Sequence, residues 1–121
     1  MATVLTNTGK AQMIAKCNSG LTTPYIGWGT GAGTAAATDT TLFTEVSAER
    51  TASTQSIVTT TVTNDTLRNI ATLTSGSGAT ITNAGLFDAS SGGNMWVKGD
   101  FTGVVLAAGD KIQFTADIKQ T

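Results

Sequence analysis

The chain has 121 residues and a mass of 12.3 kDa, close to the commonest size for one domain, and the area scaling gives such a domain a real but thin core. Charged residues make up only 12%, with seven basic side chains against eight acidic ones and no His, so His-dependent triads and most zinc sites are excluded. The scattered charges leave no basic stripe for a phosphate backbone, one cysteine allows no internal disulfide, and no apolar run approaches a membrane span; neither nucleic acid nor membrane is an expected partner. Thr occurs 25 times and Gly 14 times, a composition that favours pleated strands and tight turns over helices.

Taken in chain order, residues 1–20 read as an N-terminal arm and a short helix, and residues 21–121 as a single β domain. The helix is expected within Thr3 to Asn18, two or three turns long, capped by Thr8 and ended by Asn18-Ser19-Gly20. Tyr25 to Gly29 is extended, and Thr30 to Thr38 is too small in its side chains to be more than a connector lying against something else. Asp39 is placed to cap a helical turn over Thr40 to Thr44. Arg50 to Thr63 reads as one long strand, turned at Asn64-Asp65 into Thr66 to Thr74. A Ser-Gly turn at 75–78 then leads to Ala79 to Phe87, with a bulge expected at Asn83-Ala84-Gly85. Met95 to Phe101 and Val104 to Leu106 read as two further strands. Lys111 to Lys119 alternates cleanly, with Ile112, Phe114, Ala116 and Ile118 on one face. Turn signals about every dozen residues describe an all-β domain, a β-sandwich or jelly-roll-like fold with at most a short N-terminal helix.

The motifs carry little chemistry. Gly27-Trp28-Gly29-Thr30-Gly31-Ala32-Gly33 lacks the Gly-Lys-Ser/Thr ending of a phosphate loop and the dinucleotide spacing; its glycines instead clear one strand face for close approach by a neighbour. Asp88 and Asp100 flank the Met95 strand, but a glycan-cleaving carboxylate pair needs an aromatic cleft, and turn or rim carboxylates are the preferred reading. Cys17 has no His beside it and reads as a small, partly buried side chain, and Asn64-Asp65-Thr66, which matches a glycosylation acceptor, is explained by its turn. No catalytic residue, cofactor or metal ligand is assigned. Trp96 shares a strand face with Lys98 and Asp100 and is expected to point outward, as a half-covered or anchoring Trp.

Several ordered blocks carry a resemblance. Trp28-Gly29-Thr30-Gly31, Asp39 to Glu45 with Arg50, Ile81 to Asp88, Gly99-Asp100-Phe101 with Leu106, and Gly109-Asp110 before the closing strand make the chain from about Tyr25 to Ile118 resemble small virion proteins of tailed bacteriophages. Those proteins are capsid decoration (cement) proteins or tail-fibre proteins, without catalytic residues. The resemblance implies a protein made in the host cytoplasm that sits on the outer capsid surface as a homotrimer and bridges subunits of the major capsid protein; the alternative is a fibre or carbohydrate-binding tip using Tyr25, Trp28 and Trp96 as sugar platforms. A long shaft is usual for a fibre, so the length of this chain favours the shell.

Two candidate surfaces follow. Ala2, Thr3, Val4, Leu5 and Thr6 have strand-forming side chains, no hairpin partner next in sequence and no charge before Lys10, and are the candidate capsid attachment. Tyr25, Trp28, Arg50 and Trp96 are the candidate subunit interface. A thin core and Thr-rich strands with two similar faces also point to a homotrimer.

Overall fold

The computed structural model describes residues 3–121, and Met1 and Ala2 lie outside them. One helix, α1 (Asn7–Gly20), precedes seven strands: β1 (Tyr25–Gly29), β2 (Thr51–Ala52), β3 (Thr54–Val58), β4 (Thr66–Thr74), β5 (Ala79–Phe87), β6 (Met95–Leu106) and β7 (Lys111–Lys119). The strands form two antiparallel sheets, one ordered β2-β1-β5-β6 and the other β3-β4-β7, packed as a sandwich. The expected all-β class with one N-terminal helix is what the chain adopts.

The core lies between the sheets, where Ile26, Trp28, Ile81, Leu86 and Leu106 of one meet Leu67, Ala71 and Leu73 of the other. Trp28 is fully buried and stands edge-on to Phe114, ring centroids 6.1 Å apart. The β4–β7 ladder runs unbroken from Thr66 opposite Lys119 to Thr74 opposite Lys111, which seats Ile112, Phe114, Ala116 and Ile118 against the core as the alternation requires. The helix contributes Ile14, and Leu21 follows it into the core; Cys17 packs partly buried beside them. Gln55 of β3 fixes the helix end, its Nε2 donating to Leu21 O at 2.9 Å while its Oε1 accepts from Asn69 Nδ2 at 3.1 Å.

Four local expectations are corrected. The helix runs about four turns and is capped by Thr6 rather than Thr8: Thr6 is extended and its Oγ1 accepts from Gly9 N at 3.1 Å, whereas Thr8 is already inside the first turn. No helical turn forms over Thr40 to Thr44, because Asp39 turns its carboxylate back to Ala36 N and across to Lys98 instead. The long strand from Arg50 breaks at Ser53, where the chain leaves one sheet for the other; Ser53 N donates to Pro24 O and its hydroxyl to Asn69 Oδ1 at 2.8 Å. Finally, the two strands expected between Met95 and Leu106 are one strand of 12 residues, and the irregularity in β5 falls between Ile81 and Asn83 and again between Leu86 and Phe87.

Candidate functional site

Three arrangements of side chains set the surface of the domain. The first covers the outer face of the four-stranded sheet. Ile26 and Trp28 of β1 point into the core, so Gly27 and Gly29 point out, and the segment 30–48 lies directly on them. A Cβ on Gly27 would stand 3.0 Å from both Arg50 and Glu45, and one on Gly29 would collide with the backbone oxygen of Phe43. The alternating glycines therefore admit a neighbour, as their pattern indicates, and the neighbour is this chain's own segment. Asn83 completes the cover: its Oδ1 accepts from Phe43 N at 3.0 Å and its Nδ2 donates to Phe43 O at 3.1 Å, tying the covering segment to the outer face of β5.

Two cations rivet this cover. Arg50 forks onto Glu45, with Nε to Oε2 at 2.6 Å and Nη2 to Oε1 at 3.0 Å, and its Nη1 donates to Ala89 O and Gly92 O, while the guanidinium stacks 3.5 Å from the Phe87 ring centroid. Lys98 donates to Asp39 Oδ2 and Thr41 O, both at 2.9 Å, and sits 3.3 Å from the Phe43 ring centroid. The Lys98 hydrogen bond, with the backbone N–H of Ala36 second, holds the Asp39 carboxyl below its ordinary pKa.

The second arrangement is the turn from β3 to β4, built around a buried carboxylate. Burial by itself would raise the pKa of Asp65, but donors from Val62 N, Thr60 N, the Thr66 hydroxyl and Thr61 N outweigh it and hold the group well below the usual carboxylate range. Asn64, at φ 57°, takes the left-handed conformation that Asn tolerates, which explains the Asn-Asp pair structurally.

The third is an open edge. β6 and β7 end their respective sheets on the same side of the sandwich, and Phe101 and Phe114 face each other there with centroids 6.1 Å apart. Between the two strands lies a groove of about 240 Å³, lined by Ile26, Leu86, Val97, Phe101, Phe114 and Ala116 among others. Every residue from Gly99 to Val105 is exposed, and Val105 is 80% so.

The sequence-assigned residues distribute unevenly over these features. Trp28 is fully buried and donates its indole N–H to Glu49 Oε1 at 2.8 Å, which leaves it no surface for a sister subunit. Arg50 is likewise drawn into its own domain, its side chain only 9% exposed, because a guanidinium fork finds carboxylate, carbonyls and aromatic face within one chain. Tyr25 is half-buried at the start of β1. Trp96 does point outward, 43% exposed, beside a cleft of about 290 Å³ lined by Ala35, Ala36, Ala37, Asp39, Met95 and Lys98 among others. Tyr25, Trp28 and Trp96 thus form no common platform.

Asp88 and Asp100 do not pair. Asp88 Oδ1 accepts from Asn94 N at 2.8 Å and Oδ2 from Asn94 Nδ2 and Trp96 Nε1, and these bonds, the backbone N–H of Asn94 foremost, lower its pKa. Asp100 stands opposite Asn83, while Asp88 follows the end of β5 five residues further on, so the two backbone positions are about 16 Å apart along the strand, and Asp100 accepts from Ala35 N instead. In the arm, Ala2 lies outside the described residues. Thr3, Val4 and Leu5 are exposed, and Thr6 serves as the helix cap. The β6 residues Phe101, Val104 and Val105 were not marked by the sequence, since local alternation does not say whether a strand lies at the edge or the centre of a sheet.

No curated protein and no solved structure matches the chain. A family model does, over residues 6–119, described as the podophage GP4 fiber I protein gp80. That span takes in the helix, both sheets and the open edge, and it agrees with the virion resemblance carried by the sequence blocks: the chain belongs to this family of podophage fibre proteins, as a bacteriophage virion protein.

Proposed function

We propose that the chain is a non-catalytic structural subunit of a virion fibre, working as a homotrimer through its surfaces. The match of residues 6–119 to a fibre-protein family carries this reading. The saturation of its polar groups supports a role without chemistry, since among the described residues every buried side-chain nitrogen and oxygen already has a partner. Imaging of intact particles with a label on the chain tests the location. A few copies at the tail fit a fibre, and hundreds of copies spread over the head refute it.

A head-decoration role on the outer capsid surface, with the major capsid protein as partner, is the second reading. The exposure of Val4, Leu5 and Met13 at the N-terminal end favours it, because an apolar end with no charged side chain before Lys10 suits contact with a protein shell. In that case removal of the arm lowers occupancy on the head while the soluble oligomer persists.

A further inference from the structure

We infer that the open edge formed by β6 and β7 receives the N-terminal arm of a second copy of this chain. A strand whose residues are exposed on both faces lacks a neighbour on both faces. Val104, opposite the core residue Ile81 in the ladder, faces the inner side of the sheet, while Val105, opposite Thr80, stands on the outer side. A strand laid beside β6 covers both only if it carries two adjacent apolar residues, since successive side chains point to opposite faces. Val4-Leu5 is such a pair. Val4 is 76% exposed, Leu5 is exposed, and Thr3, Val4 and Leu5 make no backbone hydrogen bond among the described residues. Their donors and acceptors match what a free sheet edge offers.

Charge agrees with this fit. The charged groups lining the groove are already paired within the chain, Asp117 by Arg68 in a fork at 2.9 Å and Lys98 by Asp39, so the groove presents no unpaired charge. The arm has no charged side chain before Lys10. A partner bearing charge would gain no ion pair here and would lose hydration. The arm before α1 gives at most about six residues, ~20 Å of strand, so it covers about half of the 12-residue β6 and clamps the Val104-Val105 end of the edge. Giving and taking through different surfaces, each copy passing its arm to the next, is a heterologous contact, which forms a ring when the rotation between copies closes and a filament when it does not. The arm goes to a sister chain rather than to the shell, so this arrangement stands apart from the head-decoration reading, and loss of the soluble oligomer separates the two.

Sedimentation of the full chain, with circular dichroism as the control for folding, is the first test. The expected result is an oligomer for the unaltered chain and a folded monomer, a complete loss of the larger species, for V4D/L5D and separately for V105D. The second test uses a Cys17→Ser background. Chains carrying Leu5→Cys are mixed with chains carrying Val105→Cys and oxidised, and the expected product is a disulfide between the two kinds of chain. A monomer for the unaltered chain at high concentration overturns the inference. So does an oligomer that survives V4D/L5D, including one that then fails only to occupy a capsid. In a third sample, chains carrying both Leu5→Cys and Val105→Cys, cross-linking confined to single chains overturns it too, since the arm would then fold back on its own edge. Should V4D/L5D fail to fold, the mixed cross-link decides the matter alone.

Discussion

Two strands of the four-stranded sheet, the inner β1 and the edge β6, are treated in opposite ways. Over Gly27 and Gly29 the chain lays its own segment 30–48 and fastens it with Asn83, Arg50 and Lys98, each through more than one hydrogen bond. A few residues away, β6 is left with Phe101, Val104 and Val105 uncovered and its backbone edge unpaired by any strand of the described chain. The contrast teaches where specificity is spent. Buried polar clamps fix one arrangement because each unmade bond is costly, whereas an apolar edge holds nothing within the monomer and is free to hold another chain.

The largest effect is expected at the core wall that the two regions share. Trp28→Ala removes a fully buried ring and leaves its space empty, and urea unfolding should show a loss of about 3–5 kcal/mol. At the clamp, Arg50→Lys keeps the charge but cannot reach Glu45, Ala89 and Gly92 together; a loss of about 2 kcal/mol is expected in the same measurement. Asn83→Ala strands the N–H of Phe43, whose carbonyl keeps the Gly31 N–H at 2.9 Å. The expected cost is about 1–3 kcal/mol, and hydrogen exchange at the Phe43 amide should speed up while β4 amides keep their protection in native conditions.

Acid sharpens the same comparison. The folded pKa values of Asp65, Asp88 and Asp39 lie below their unfolded ones, so the stability they contribute is complete above the unfolded carboxylate value near about 4 and is lost as pH falls through the folded values. Unfolding free energy should be level from about pH 7 to pH 5 and decline in stronger acid, with a shallower decline in Asp65→Asn; a level profile down to pH 2 would contradict the carboxylate assignments. The smallest effect on folding belongs to the open edge. Val105→Thr keeps strand propensity at an 80% exposed position, so monomer stability should move by less than about 0.5 kcal/mol, and a larger loss would mean that the edge is part of the core after all.

Much of the fold was legible from local pattern. The limits of β4, β5 and β7 agree with the alternation and the Ser-Gly, Ser-Gly-Gly and Ala-Ala-Gly-Asp turns that bound them, because turn chemistry and period-two burial act over a few residues. The same reading failed at Asp39 and Ser53, where a long-range partner, Lys98 or Asn69, outweighs the local preference. The site was less legible. Trp28 and Trp96 both look like anchors in sequence, yet one lies at the centre of the sandwich and the other on its surface, since what decides is the layer each strand faces.

The sequence by itself determined the class of molecule: an all-β domain, without His and with scattered charge, bearing the ordered blocks of a phage virion protein. Composition and spacing suffice for that, because they limit what chemistry is possible and where a chain turns. Only the tertiary structure decided that segment 30–48 covers the glycines of β1, that Arg50 turns inward, and that β6 and β7 are left at an open edge. Strand order and the packing of layers arise from contacts between residues far apart in the chain, and no local period records which strand comes last in a sheet.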